Sequence, residues 1–500
     1  MRDRRPDLVL RRMRVLTCDA AWTDHREADI VIDGGRIVEV GPGVADTIPY
    51  DPSDVSGANL LALPGLVNTH FHSSGNLLKG AVANQPLELF MLYEVPPFME
   101  HPVSSRFAYT RTMLGAAEML RQGVTAVHDD AFFLPIATQE EITAIMTAYA
   151  DSGLRATVAL DQPNLVEYDK HAFLADLLPP DIRDRMDRAR RQDGGELADL
   201  YRWFISSWHE QAGGRLRSAV SCSAPQRVTA EYFRFLGDLS REHEIPYNMH
   251  ILETRSQRVF GDVRLGRSLV RYAHDHGVLD HRSQVIHAIW IDDDDIALLA
   301  DSGAGVAHNP VANLKIGSGI MPWRRLRDAS IPIGIGTDEA TVDDGVNLWT
   351  ALKTAGLIHN VTDPDYGSWP GPTEILRAAT AGGARAMGLA APAGVIEPGA
   401  LADLAILDLD TLPFTPLNDL ARQLVYCEPA RSVDTVIVDG KVVVRLQDEI
   451  DGFVAACRRG AQQVGPLYDL AYRKGLTLPV SVDPWAGGHG DAAGHSEPGG

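Results

Sequence analysis

Short apolar runs broken by turns open the chain. VLRRMRVLTCD, ADIVIDGGRIVEVGP and NLLALPG read as strands, and Asp33-Gly34-Gly35 carries a hairpin-turn signal. From Leu61 the texture changes, and apolar strands alternate with amphipathic helices. Strands are expected near Gly65–His70, Thr125–Asp129, Ala156–Leu160, Ala219–Ser223, Pro246–Ile251, Gln284–Ala288, Gly305–Ala307 and Ile331–Gly336. RTMLGAAEMLRQG, TAEYFRFLGDLSREH and DDIALLADSG have helical periodicity between them. Eight strands with intervening helices predict an α/β chain organised as a (β/α)8 TIM-type barrel. The stretch from Asp161 to Leu216, with charged helices and PP and GG breaks, reads as an elaboration on one βα unit.

After about Ala391 the β texture returns in GVIEPGALADLAILDLD and VDTVIVDGKVVVRL. Strands at both ends around one barrel predict a small β-sandwich domain built from both termini. The expected division is 1–60 and 392–447 for the sandwich and 61–391 for the barrel. A helical extension over 448–475 and a low-complexity, disordered tail over 476–500 follow.

Composition narrows the partners. Lys+Arg total 46 against 67 Asp+Glu, a formal net charge of −21. That balance repels a phosphate backbone and argues against a nucleic-acid binder, while leaving neutral or cationic small molecules open. Cys18, Cys222, Cys427 and Cys457 are scattered without a CxxC pair, which points to a reducing compartment and a cytoplasmic protein. The Arg-rich N-terminus leads into strand-like LVLRRMRVLT rather than an apolar leader, and no apolar run is long enough to span a membrane.

Chemistry concentrates at predicted strand ends, the rim where barrel active sites sit. His70 and His72 lie in LVNTHFH, and residues i and i+2 of a strand point the same way. His250 ends YNMH with Glu253 after it, His287 ends QVIH, and Asp338 follows IPIGIGT. One histidine at a strand end is ordinarily a polar rim residue. Four histidines and two carboxylates ending four separate strands are a constellation. Nitrogen ligands plus a carboxylate suit zinc, and also iron(II) or manganese. Such a site lowers the pKa of bound water from about 15.7 to about 7.

These stretches, PGLVNTHFHSSGNLLKG, MHILET, VIHAIW, GVAHNPVANLKIGSGI and IGIGTDEA, resemble the amidohydrolase superfamily, in particular its mononuclear deaminase and chlorohydrolase branch. ILRAATAGGARAMGL and IEPGALADLAILD look like the family's closing helix and return to its sandwich. The resemblance runs from about residue 7 to 447 and extends to deaminases of adenosine derivatives, S-adenosylhomocysteine and guanine. It implies that His70, His72, His250 and Asp338 bind one metal, that Glu253 shuttles protons, and that His287 orients the attacking water or stabilises its charged oxygen. Binuclear members use a carboxylated lysine at the end of strand four; here that strand ends SAVSCSAPQ without one, which supports a single ion. Homo-oligomers, usually dimers, are common among such relatives.

Loop residues should select the substrate. Glu94 and Glu100 after strand one, Asp161 after strand three, Arg227 after strand four and Trp290 beyond His287 are the candidates. Arg227 offers a planar fork for a carbonyl or carboxylate, and Trp290 a stacking face. Glu339, Asp343 and Asp344 suggest an acidic mouth. The expected function is hydrolytic deamination of an amino-substituted nitrogen heterocycle of purine, adenosine, pterin or pyrimidine type. The alternative is hydrolysis of a chloro- or alkylamino-triazine, or of an amidine or amide C–N bond, at the same site. A non-catalytic oligomeric scaffold is the third reading, and retention of every ligand weighs against it.

Overall fold

The computed structural model describes residues 4–82, 85–94, 103–165, 176, 178–389 and 392–445. The expected extension over 448–475 and tail over 476–500 lie outside the described residues. The N-terminal stretch supplies β1 (Leu8–Leu16), β2 (Asp24–Asp33), β3 (Arg36–Gly41), β4 (Val55–Ser56) and β5 (Leu60–Pro64). β2 and β3 form the expected hairpin, with Gly34 and Gly35 at φ +59° and +73°, the left-handed conformation such tight turns demand.

The middle of the chain builds two parallel sheets. β6 (Leu66–His72), β7 (Val124–Phe132), β8 (Arg155–Asp161) and β9 (Leu216–Ser218) belong to one; β10 (Val220–Ser221), β11 (Tyr247–Ile251), β12 (Ser283–His287), β13 (Gly305–His308) and β14 (Ile333–Ile335) form the other. β15 (Asp338–Glu339) returns to the first sheet beside β6. β6, β8 and β12 are buried at every position, which parallel strands covered on both faces require. The covering helices begin where the sequence provides an N-cap. Thr138, Thr229, Asp292 and Asn347 each accept a backbone N–H from the first turn of Gln139–Ser152, Ala230–His243, Asp293–Ser302 and Leu348–Ile358.

Two expected strands are shorter than the sequence suggests, because the chain changes partners part-way. Leu216–Ser218 pairs with β8, whereas Val220–Ser221 pairs with β11. Ala219 sits at the switch and donates its N–H to Val158 O at 2.7 Å. In the same way Ile333–Ile335 pairs with β13, and Asp338–Glu339 pairs with β6. Gly336 lies between them, and a Cβ there would approach His70 N and O to 2.9 Å, so only glycine lets the two backbones meet.

The C-terminal strands β16 (Leu404–Asp408), β17 (Val433–Val438) and β18 (Lys441–Arg445) rejoin the N-terminal ones. Together they form one eight-stranded sheet, ordered β18-β17-β16-β5-β1-β2-β3 with β4 on β1. Leu10, Met13, Ile30, Ile32, Leu404, Ile406 and Ile437 are fully buried in one cluster contributed by both ends of the chain. Each such side chain contributes about 1.5–3 kcal/mol on burial, so neither end would hold its sheet alone. No described helix is long and apolar enough to cross a membrane.

Candidate active site

The C-terminal ends of β6, β11 and β12 and the start of β15 bring the sequence constellation together. His250 Nε2 lies 3.3 Å from His72 Nε2. Asp338 Oδ1 lies 3.4 Å from His70 Nε2 and 3.7 Å from His72 Nε2. His287 Nε2 is 3.7 Å from both Asp338 Oδ2 and Glu253 Oε2. His70 and His72 share a direction because they lie two positions apart on a strand.

Backbone strain aims these groups. Ser223, Leu252, His287, Ala288 and Asp338 are non-glycine residues with φ of +60°, +54°, +73°, +46° and +62°. Each left-handed residue turns the chain sharply off its strand, at a cost of order 1–3 kcal/mol that the surrounding packing offsets. Hydrogen bonds to the far ring nitrogens fix the imidazoles. His72 Nδ1 meets Asp130 O at 2.5 Å, His250 Nδ1 meets Ser223 O at 2.8 Å, and His287 Nδ1 meets Asn313 Oδ1 at 2.8 Å. The carboxylate of Asp129 accepts Ser73 N at 2.8 Å and Tyr149 OH at 2.8 Å, which pins the chain immediately after His72.

Electrostatics divides the two carboxylates. Burial pushes Glu253 well above the ordinary range, with the charges of Asp338 and Glu88 adding and Arg227 opposing. Burial works in the same direction on Asp338, but the hydrogen bond from His70 and the surrounding imidazoles outweigh it and draw Asp338 below the ordinary carboxylate range. Burial lowers His70 to about 4 and takes His250 well below its usual value, so both are neutral near pH 7. Neutral imidazole is the form that ligates metals.

The donor set fits a divalent ion. His70, His72 and His250 present nitrogens within 4.8 Å of one another, as do the donors of His70, His287 and Asp338. Both ring nitrogens of His70 are buried without a hydrogen-bond partner. A buried imidazole left so is costly unless an ion takes the lone pair. His72, Asp130 and Asp161 form a further group of donors at the same spacing.

An open cavity lies above these donors. Its wall includes His72, His250, Glu253, His287 and Asp338, and also Asp161 and Arg227 from the expected substrate contacts. Trp290 is not part of that wall. The chain bends at His287 and Ala288, and the indole turns away to donate to Ser318 O at 2.8 Å, with Arg255 over its ring. Glu94 ends the helix Leu87–Glu94, but its side chain, like the whole of Glu100, lies outside the described residues. Glu88, six residues earlier, does line the cavity and accepts a hydrogen bond from Thr254 Oγ1 at 2.8 Å. Sequence reading passed over it because LELFMLYE gives no sign of which carboxylate faces inward. Gln162, Gln226, Arg190 and Arg191 complete the polar wall, and Phe132, Phe133, Leu134 and Phe90 the apolar part. His308 turns to His359, with the two Nε2 atoms 3.3 Å apart.

Histidine and aspartate donors at the C-terminal ends of parallel strands, beneath an open cavity, define a metal-dependent α/β enzyme. Residues 61–443 match the amidohydrolase family, and the chain belongs to that family. It is 29% identical over 439 residues to the 5-methylthioadenosine/S-adenosylhomocysteine deaminase of Pelotomaculum thermopropionicum, covering 88% of this chain and 93% of the relative. Among solved structures it is similar to a zinc-bound adenosine deaminase from Xanthomonas campestris, at TM-score 0.79 and 24% identity over 94% of this chain and 99% of the other. It is also similar to the zinc complex of atrazine chlorohydrolase from Arthrobacter aurescens, at TM-score 0.81 and 25% identity over 90% and 99%.

Proposed function

We propose that the protein hydrolytically deaminates an amino-substituted nitrogen heterocycle, with an adenosine derivative as the leading substrate class. The observation that carries this reading is geometric: the buried carboxyls of Glu253 and Asp338 lie on either side of His287, each 3.7 Å from its Nε2, in surroundings that push Glu253 up and pull Asp338 down. Divergent environments of this kind separate an acid from a base at one site. The curated relative named above, a deaminase of methylthioadenosine and S-adenosylhomocysteine, supports the substrate class.

His70, His72, His250 and Asp338 would hold one divalent ion, with zinc favoured by the donor chemistry and by the zinc-bound neighbours. When bound, the ion supplies the Lewis acidity that makes water a nucleophile near neutral pH. Asp338, anionic, accepts the proton that water loses on adding to the ring carbon. Glu253, neutral, donates its proton to the adjacent ring nitrogen. His287 lies between the two carboxyls and stabilises the charge that develops on the incoming oxygen. The bond from carbon to the exocyclic nitrogen then breaks: ammonia leaves with the proton passed on from Asp338, and the proton remaining on the added hydroxyl returns to Glu253 as the carbonyl forms. Asp161, Glu88 and Arg227 face the cavity and contact the substrate beyond the reacting carbon. Acid–base assistance of this kind contributes about 10²–10⁴-fold.

We read the two parallel sheets as one closed (β/α)8 barrel over 61–391. The partner switches at Ala219 and Gly336 are its two seams. The mixed sheet is the sandwich domain assembled from residues 1–60 and 392–447. An ammonia-release assay over a panel of aminated heterocycles, with metal-loaded enzyme, tests the function. Turnover of adenosine derivatives is expected, and silence across the panel overturns the reading. Likeness to a chlorohydrolase structure favours a second reading, displacement of chloride or an alkylamine from a triazine. Expelling chloride needs little acid help, so a protonated Glu253 favours deamination. Mass analysis of the product separates the two.

A further inference from the structure

Asp129 and Asp130 are neighbours on β7 with opposite fates. Side chains alternate along a strand, so the two carboxylates leave on opposite faces. Asp129 is fully used by the protein, accepting Ser73 N on one oxygen and Tyr149 OH on the other. Asp130 is 0% exposed, and neither of its oxygens has a hydrogen-bond partner. Ser221 stands beside it without reaching hydrogen-bond geometry. His250 Nδ1 lies 3.7 Å from Asp130 Oδ2, but that nitrogen is already bonded to Ser223 O at 2.8 Å.

A second carboxylate comes to the same place. β7 and β8 run parallel, with Asp130 opposite Ala159 and Phe132 opposite Asp161. Asp161, two residues past Ala159, shares its face. It is 4% exposed, and its Oδ1 is buried without a hydrogen-bond partner. Among the described residues neither carboxylate forms an ion pair with a lysine or arginine. Buried charges are paired or coordinate metals. Two carboxylates side by side repel unless a cation stands between them. A nitrogen of His72 and one oxygen of each aspartate lie within 4.8 Å of one another.

We propose that Asp130 and Asp161 hold a second divalent cation, distinct from the ion assigned to His70, His72, His250 and Asp338, with His72 standing between the two. Donor chemistry separates the pair. Histidine-rich donors suit zinc, whereas two carboxylates completed by water suit magnesium or manganese. Asp161 forms part of the cavity wall, so water can reach the second ion from the cavity. The site is built on β7 and β8 and does not involve the strand-four position at which binuclear relatives carry a lysine. It extends the one-ion reading above, and a count of ions decides it.

Manganese is the probe. Wild-type enzyme carrying one zinc per chain, freed of excess zinc, is titrated with Mn²⁺. Free Mn²⁺ is read by electron paramagnetic resonance, and bound zinc and manganese are counted by elemental analysis. One Mn²⁺ per chain should bind while zinc stays at one. Asp130→Asn and Asp161→Asn keep the shape and remove the charge. Each should weaken manganese binding at least about 10–100-fold and leave zinc at one. Manganese that fails to bind, or that binds only by displacing zinc, overturns the proposal. Equal binding by wild type and both variants assigns the manganese to surface carboxylates of a chain with net charge −21, and overturns it as well. Loss of zinc together with manganese in both variants makes the aspartates part of the first site and has the same consequence. Should Asp130→Asn fail to fold, Asp161→Asn, whose side chain lines the cavity, decides alone. Absence of ammonia release from every heterocycle sinks the deaminase reading and leaves the ion count standing.

Discussion

Gly75 leaves open the space that the Glu339 carboxylate fills: a Cβ on Gly75 would lie 1.6 Å from Glu339 Oε1. Glu339 is 4% exposed and sits beside His72 in the β15–β6 register. It therefore packs against the turn after the HxH pair while also forming part of the cavity wall. Asp344 is engaged locally with Lys315 and Gly80 N. Of the acidic mouth expected from the sequence, Glu339 lines the cavity and Asp344 is paired with Lys315.

Gly75→Ala should therefore destabilise by about 1–3 kcal/mol through overpacking. Glu339→Ala placed in the same chain should recover much of that loss. Urea unfolding of the single and double variants checks it. Simple addition of the two single effects would show that the residues do not share this space.

Glu253→Gln keeps the shape of the side chain and removes the exchangeable acid proton. Metal content should stay near wild type, and kcat should fall about 10²–10⁴-fold. Steady-state kinetics with elemental analysis of the same sample checks both halves. Near-normal turnover would remove Glu253 from the proton path.

Asp338→Asn removes the anion facing three imidazoles. Both metal affinity and activity should fall together. Chelation of the wild type should likewise abolish turnover, and added zinc should restore it to the wild type far more readily than to the variant. Full activity after exhaustive chelation would contradict the metal reading.

Asp343 supplies a pH prediction away from the ion. Burial, with Glu118, Asp338 and Asp344 adding and Lys315 opposing, raises its carboxyl from 3.8 to about 7. Folding therefore favours the protonated form. The associated stability is present below pH 3.8 and is lost as pH rises through 7. Asp343→Asn should raise the Tm at pH 8 and leave it nearly unchanged at pH 3.5 relative to wild type. Calorimetry at the two pH values reads this, and an equal shift at both would exclude a titration origin.

Much of the site was legible because it depends on strand periodicity. The two-residue spacing of His70 and His72, and the histidines that close YNMH and QVIH, need only strand direction and an open rim. Asp338 is legible for the same reason, at the end of an apolar run. Trp290 was misplaced because a left-handed bend at His287 and Ala288 is set by tertiary packing. Glu88 and Asn313 were invisible because both lie on short helices whose rotation about their own axes is fixed by neighbours from distant sequence. The paired strand breaks at Ala219 and Gly336 also escape a local reading, since partner exchange leaves no compositional trace.

The exchange at Gly336 has a consequence for how the enzyme comes into being. Asp338 reaches the histidines only when the last strand of the parallel array docks on the first, across a glycine that has no side chain to hold the backbones apart. A nascent or truncated chain that ends before this docking carries His70, His72, His250 and His287 but not Asp338, the proposed base. Turnover thus depends on the pairing of β15 with β6, and no contiguous fragment lacking either strand should retain a trace of it.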